Sequence, residues 1–345
     1  MSKGSAAARQ IRDRIETMAS GQRCTGKIVI GTMASGSEFA IPYVILKGSR
    51  QGKCLWINGQ VHGTEVTGVV ATLEFLNRVD VSRLSGVIVA TTTANPLAMD
   101  ARRKHAPQDD NDMDQSFPGN PSGFTSERMA AILFEEIRGV ADMVVSMHGQ
   151  HTHVTARSYA VFKKDPSERL PEETLYPFMA DFEPLAACRM NIATGQGELL
   201  GNIAGALDYQ LHAVGTPCFM VELGVGQRAA EEEVERGVRG MQRNAARLGI
   251  LDGEVPAWKE LTLVTARGHV TLSHGGLFKP LRQAGEIVRA GELLGRTMNI
   301  WGEPLEEITL ATDVLIIAIR CDPIVHSGDR FGYMARKWER IKLGA

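Results

Sequence analysis

Four side chains in this sequence could carry out hydrolytic chemistry together. His62 and Glu65 fall three residues apart in VHGTE (Val61 to Glu65), where an apolar strand-like run hands over to a helical pattern. Imidazole nitrogen and carboxylate oxygen both suit zinc, and two such ligands plus a third leave the open position that catalysis needs. Read alone, HxxE is a short string, and a surface glutamate beside a partly buried histidine also accounts for it. His148 offers a third donor 86 positions beyond His62, at the carboxyl end of the run DMVVSM (Asp142 to Met147). Open α/β sheets gather their ligands at the carboxyl ends of strands. Glu222 closes the run CFMVE and is followed by Gly224 and Gly226. There it would project above the same sheet edge as a general base, with a helix-capping or salt-bridging glutamate as the plainer alternative. His151 and His153 follow in HGQHTH, either as a competing ligand or proton donor or as part of a solvated loop.

The elements that must position these residues read as an α/β sheet domain from Lys27 to about Gly249, with apolar runs alternating with helical patterns. KCLWIN (Lys53 to Asn58) and VIVATTT (Val87 to Thr93) read as strands, and Glu65 to Arg78 as a helix. A polar stretch from Asn95 to Phe124, rich in proline and glycine, reads as one long loop, and loops of that length in compact domains are usually functional. Thr125 to Arg138 is an amphipathic helix with Ser126 as its expected N-cap, and Ala229 to Leu248 is a charged helix covering one sheet face. Beyond about Asp252 short β runs alternate with glycine turns. The expected organisation is therefore an α/β domain over 1–254 and a smaller all-β domain over 255–345.

Composition narrows the class. A chain of 345 residues, 43% hydrophobic and 23% charged, is long enough for one large domain and a smaller one. A formal charge of -2 gives no footprint for nucleic acid as a partner, and no apolar run approaches the roughly 20 residues of a membrane helix. Five scattered cysteines without a CxxC pair argue against a disulfide framework or a cysteine zinc site, so a cytoplasmic location is expected. Cys54 and Cys218 sit in apolar runs and read as small core residues.

Several separated segments coincide with one family. NGQVHGTE, NPLA (Asn95 to Ala98), DMDQSFPG (Asp112 to Gly119), SMHG and VELG occur here in a matching order and spacing. With these the chain resembles the succinylglutamate desuccinylase/aspartoacylase group of zinc-carboxypeptidase-like hydrolases, most closely the bacterial branch that deacylates amino-acid-like compounds. The resemblance implies a mixed sheet flanked by helices, with a C-terminal β domain similar to a lipoyl-type barrel. It implies one zinc ion per chain held by His62, Glu65 and His148, with Glu222 as the base for water activated at the metal. It also implies a small-molecule substrate bound near Asn95 and the DMDQ segment, and it is compatible with a homo-oligomer. LATDVLIIAI (Leu310 to Ile319) has no lysine where lipoyl carriers present one, so no covalent cofactor is expected.

Two departures from the family pattern bear on the substrate. The family reads D-L-N-R-x-F-P-G, and its Asn-Arg pair holds a substrate carboxylate; Asp114 and Gln115 occupy those positions here. Glutamine cannot offer the charged bidentate fork of arginine, and Asp114 would repel a carboxylate. The equivalent end of the substrate is thus expected to be neutral or cationic, and a simple N-acyl α-amino acid fits poorly. The oxyanion arginine that the family places after NPxA falls, by ungapped count, on Lys104, with Arg102 and Arg103 just before it. Lys104 serves, or a small shift brings Arg103 into place. The leading expectation is a zinc deacylase cleaving the linear amide of a small N-acyl compound. The alternatives are a zinc carboxypeptidase trimming peptides and an inactive binding protein of the same fold.

Overall fold

The structure is a computed structural model that describes residues 10–150, 153–164, 167–192 and 201–344. Its first two thirds contain strands β1 (Gln22–Thr32), β2 (Glu38–Lys47), β3 (Arg50–Asn58), β4 (Ser85–Thr91), β5 (Met143–Gln150), β6 (Val154–Ala156), β7 (Tyr159–Lys163), β8 (Ala187–Met190) and β9 (Cys218–Val225). Interleaved with them are helices α1 (Gln10–Thr17), α2 (Thr67–Arg78), α3 (Pro96–Ala101), α4 (Thr125–Arg138), α5 (Tyr176–Ala180), α6 (Leu207–Ala213) and α7 (Glu231–Arg247). From Glu260 onward every regular element among the described residues is a strand. These are β10 (Glu260–Thr271), β11 (Gly276–Pro280), β12 (Ile287–Val288), β13 (Leu293–Met298), β14 (Pro304–Thr309), β15 (Val314–Arg320), β16 (Ile324–Val325) and β17 (Arg330–Lys342).

The large mixed sheet runs β1-β2-β4-β3-β5-β9-β7-β8-β10-β17-β15-β12, with β6 paired to β15. Its centre, β4-β3-β5-β9, is parallel. Such strands are covered on both faces and so read as continuous apolar runs. Because side chains alternate across a strand, Leu55, Ile57, Val145 and Phe219 pack on one side with Phe75 of α2, Met179 of α5 and Val238 and Met241 of α7. Trp56, Val144 and Cys218 pack on the other side with Ile11 of α1, Met129 and Leu133 of α4 and Leu211 of α6. Cys54 and Cys218 are both buried in this second layer, as expected of small core residues.

The C-terminal strands extend this sheet through a short parallel pairing, Leu263 with Ala187 and Val264 with Cys188. A second sheet, β14-β13-β11-β16, folds over a core that includes Phe278, Leu294, Ile316 and Phe331. The fold is therefore a mixed sheet flanked by helices with a C-terminal all-β region. No helix among the described residues is long and apolar enough to cross a membrane.

Local details differ from the sequence expectations. Helix α2 begins at Thr67, leaving His62 and Glu65 in the turn before it. Strands β5 and β9 run on past His148 and Glu222, which lie within the ladder instead of just beyond it. The stretch after Asn95 is not all loop, since it folds into α3 and a 3-10 turn over Met113–Gln115. Ser126 is not the cap of α4 but lies inside its first turn. Asp109 reaches from the long connection to accept from the Ser126 backbone N–H at 2.6 Å and its hydroxyl at 2.9 Å. Glu127 accepts from the Phe124 N–H at 2.8 Å, so two backbone donors at the start of the helix are satisfied by side chains.

Candidate active site

The turn between β3 and α2 is shaped by what packs on it. A side chain at Gly63 would place its Cβ 2.1 Å from the Ala98 carbonyl, so only glycine lets the turn press against α3. The Gly63 N–H donates to the Lys104 carbonyl at 3.3 Å, and the Glu65 N–H donates to the His62 carbonyl at 3.0 Å. This close packing sets His62 and Glu65 on one side of the turn and brings the residues after α3 alongside them.

His62, Glu65 and His148 are all buried, and one ligand atom from each falls within 4.8 Å of the others. The Glu65 carboxylate bridges the two rings, with Oε1 2.8 Å from His62 Nδ1 and Oε2 3.1 Å from His148 Nδ1. The far ring nitrogens are held separately. His62 Nε2 lies 3.0 Å from Asp112 Oδ1, and His148 Nε2 lies 3.2 Å from the Ser146 hydroxyl. Metal-binding histidines characteristically have the second nitrogen fixed by a carboxylate or another polar group. Two imidazoles and a carboxylate converging from buried positions, with both rings held from behind, fit a zinc ion. Without a cation among them, these groups compensate one another. Burial works against a charged His62, but Glu65 and Asp112 outweigh it and raise the ring to about 10. Burial likewise opposes charge on Glu65, yet His62 and His148 hold its carboxyl well below the usual range.

Glu222 sits beside this cluster because β5 and β9 pair in parallel register, setting His148 opposite Glu222. Its Oε2 is buried and makes no hydrogen bond. Burial and the neighbouring Glu65 carboxylate push it up to about 7. A carboxyl group poised there can accept a proton near neutral pH and return it later.

All four residues open onto a cavity of about 480 Å³, which Lys104, Asp114 and Gln115 also line. Lys104 Nζ donates to Asp112 Oδ2 at 2.8 Å, so one aspartate holds both the back of His62 and the lysine. Arg103 does not line the cavity and, like Arg102, is exposed. Asn95 does not line it either. It is wholly buried, and its side-chain oxygen accepts from the Ala98 N–H at 3.1 Å, which makes it the N-cap of α3 instead of a contact surface. Asp114 points a buried, unpaired Oδ1 inward. Gln115 accepts from the Asn202 N–H at 2.7 Å, tying the turn at Met113–Gln115 to the segment that begins at Gly201. His153 is exposed and absent from the cavity wall, while His151 lies outside the described residues.

Sequence reading missed four contributors. Asp112 was visible only as part of a motif, yet it is the residue behind His62. Lys163, at the end of β7, is buried and paired with Asp208 of α6 at 3.0 Å. Arg267 and His269, two apart on β10, enter the cavity from the C-terminal region. Charged residues closing strand runs were the available signal for Lys163; nothing local marks Arg267 or His269.

A sequence model of the succinylglutamate desuccinylase/aspartoacylase catalytic domain matches residues 51–248, the stretch that contains all three candidate ligands and Glu222. Over 307 residues, 87% of each chain, the sequence is 22% identical to the N-alpha-acetyl-L-2,4-diaminobutyric acid deacetylase of Halomonas elongata. Among solved structures, the product-bound ectoine utilization protein EutE (DoeB) of Ruegeria pomeroyi shares the fold with a TM-score of 0.79 at 21% identity, covering 93% of this chain and 98% of that one. A succinylglutamate desuccinylase/aspartoacylase of Rhodobacter sphaeroides does so with a TM-score of 0.79 at 21% identity, covering 94% and 98%. With the motif order, the fold and the domain match in agreement, the chain belongs to the succinylglutamate desuccinylase/aspartoacylase family.

Proposed function

We propose that this protein is a zinc-dependent deacylase that hydrolyses the amide bond of a small N-acyl, amino-acid-like compound. The observation that carries the reading is the bridging of two imidazoles by Glu65, with Asp112 and Ser146 behind the rings. His62, Glu65 and His148 would hold one zinc ion per chain, which when bound supplies Lewis acidity toward the amide carbonyl and the attacking water.

The chain's own residues account for the remaining needs of amide hydrolysis. Glu222, raised toward neutrality, takes a proton from the attacking water and delivers it to the leaving nitrogen. Lys104 supplies positive charge on the cavity wall for the oxyanion as it develops, a contribution typically worth ~3 kcal/mol. Asp112 keeps that ammonium and the His62 ring in fixed relation. Asp114 selects the substrate. Burial holds its carboxyl above the usual range, and the nearby Lys163 ammonium offsets only part of that rise. An acceptor with a buried, unpaired oxygen suits an ammonium or amide donor on the substrate and disfavours a carboxylate at that end. The Halomonas elongata relative, by its name, acts on an acetylated diamino acid, which leaves a cationic amine for such a contact. An acetylated diamino acid is therefore the proposed substrate type.

Metal content of the purified protein, together with hydrolysis of a panel of N-acetyl and N-succinyl compounds, tests this reading. About one zinc per chain, with turnover favouring members that carry an amine, supports it. Absence of bound metal without rescue by added zinc would move the protein to a binding role.

A further inference from the structure

An acetylated diamino acid carries a carboxylate as well as an amine, and Asp114 disfavours the carboxylate at its own end of the cavity. The strands β5, β9 and β7 offer another place for it. Glu222 is opposite His148 in the β5–β9 ladder and opposite Tyr159 in the β7–β9 ladder. Directly opposed residues of an antiparallel pair share a face, with Cβ atoms about 4.5–5.5 Å apart, so the phenol stands beside the candidate base. His148, Glu222 and Tyr159 thus form one row, and all three line the cavity.

The Tyr159 hydroxyl is only half used. The residue is 2% exposed, and its oxygen accepts from the side-chain amide of Gln150, which lines the same cavity. Its hydrogen has no acceptor among the described residues, and Glu222 Oε2 next to it is unpaired as well. A hydroxyl fixed through its oxygen, with its donor unspent at a cavity wall, suits an oxygen of the ligand. Burial and the Glu222 carboxylate push the phenol well above its ordinary value, so it remains a neutral donor at working pH.

We infer that Tyr159 is a specificity-determining residue of this site, its hydroxyl donating to the α-carboxylate of a diamino-acid leaving group whose ammonium meets Asp114. The inference rests on the deacylase reading for the identity of the ligand. In that reading Glu222 returns its proton to the leaving nitrogen, which places the nitrogen at the middle of the row. Tyr159 stands on the side of Glu222 away from His148, so substituents of that nitrogen pointing away from the candidate ligands meet the phenol. A neutral donor reads an oxygen atom and not a charge. That separates it from the cations of the same cavity, which include Lys104, Arg267 and Arg330, the last with Nη1 3.3 Å from His269 Nε2.

The test uses the full-length wild-type protein and the variants Tyr159→Phe and Gln150→Leu, with three non-hydrolysable probes in calorimetry. The probes are L-2,4-diaminobutyrate, its carboxamide, and trimethylenediamine, which keeps both amines and has no oxygen acceptor. Wild type is expected to bind the first two at least about tenfold more tightly than trimethylenediamine, the scale of one buried hydrogen bond. Tyr159→Phe should weaken both oxygen-bearing probes by about tenfold and leave trimethylenediamine unchanged, which also reports an intact cavity. Gln150→Leu releases the phenol oxygen and should lower the same preference in part; it decides the matter where the phenylalanine variant does not fold. Equal wild-type affinity for all three probes, or binding of none, overturns the inference. So does a preference that survives both substitutions, and a surviving preference for acid over carboxamide would assign the recognition to a cation of the cavity. Hydrolysis of the N-acetylated forms is scored separately. A Tyr159-dependent preference without hydrolysis leaves the inference standing and removes the deacylase reading, whereas hydrolysis with KM values that Tyr159→Phe does not change removes the inference alone.

Discussion

Glu222 lies directly across the parallel β5–β9 ladder from His148, in the same register that pairs Val144 with Cys218 and Ser146 with Met220. Two strands thus deliver a candidate ligand and a candidate base to one point without help from a loop, and sites built on strands hold their geometry more tightly than loop sites. Because this framework is independent of the Glu222 charge, Glu222→Gln should keep its metal and its fold. It should lose roughly 10²- to 10⁴-fold in kcat, the range for removing a general base. Metal analysis beside steady-state kinetics checks both halves; an active variant would reassign the base.

The pH profile follows from the same residue. Burial and the Glu65 carboxylate raise Glu222 from an ordinary 4.5 to about 7, and the form that accepts a proton is the ionised one. Activity must therefore fall as pH drops through the Glu222 value. A cation on Glu65 would cancel part of the like-charge contribution, so the midpoint of the acid limb of kcat/KM belongs above 4.5 and no higher than about 7. A profile flat down to pH 4.5 would mean that another group handles the proton.

What could be read in advance was whatever the chain writes locally. The central strands announced themselves as apolar runs because parallel strands are buried on both faces, and HxxE marked a strand-to-helix turn. Interactions that join distant segments left little trace. Asp112 meets His62 across 50 residues, and Lys163 meets Asp208 across 45. Arg267 reaches the cavity because β10 joins the sheet through a pairing with β8, which no periodicity reveals. Asn95 misled for a related reason: a motif asparagine before proline reads as a contact residue, but the chain uses it to start α3. Ser126 misled similarly, since its cap is supplied by Asp109 from another segment.

Asp112 links three side chains, with Oδ1 at His62 and Oδ2 at Lys104 and, at 3.6 Å, His105. Burial opposes its charge, but His105, His62 and Lys104 hold its carboxyl well below the usual range, so it stays ionised across the working pH. Asp112→Asn keeps the shape and removes the charge that orients the ring. Metal affinity should fall by roughly 10- to 100-fold, as is typical when the partner behind a ligating histidine is lost. Lys104 should at the same time lose its tether, so kcat should stay reduced even at saturating zinc. Zinc titration against a competing chelator, followed by kinetics at saturation, separates the two effects. Unchanged affinity would show that His62 needs no such support.

The Lys163–Asp208 pair makes a prediction about stability. Both side chains are almost wholly buried, at 3% and 0% exposure, with Nζ 3.0 Å from Oδ1. Asp208 Oδ2 also accepts from the Lys163 backbone N–H at 3.1 Å, pinning the end of β7 to the start of α6. Burial works against the Lys163 charge, yet Asp208 and Asp114 raise its affinity for the proton, so the ammonium persists through neutral pH. Asp208→Asn would leave that charge without its principal partner in a medium that solvates it poorly. The expected cost is about 3–5 kcal/mol of folding free energy, read from urea unfolding at pH 7. Lys163→Met in the same background removes the stranded charge and should recover part of the loss. If the double variant is no more stable than Asp208→Asn alone, the penalty comes from the lost backbone contacts and not from an uncompensated cation.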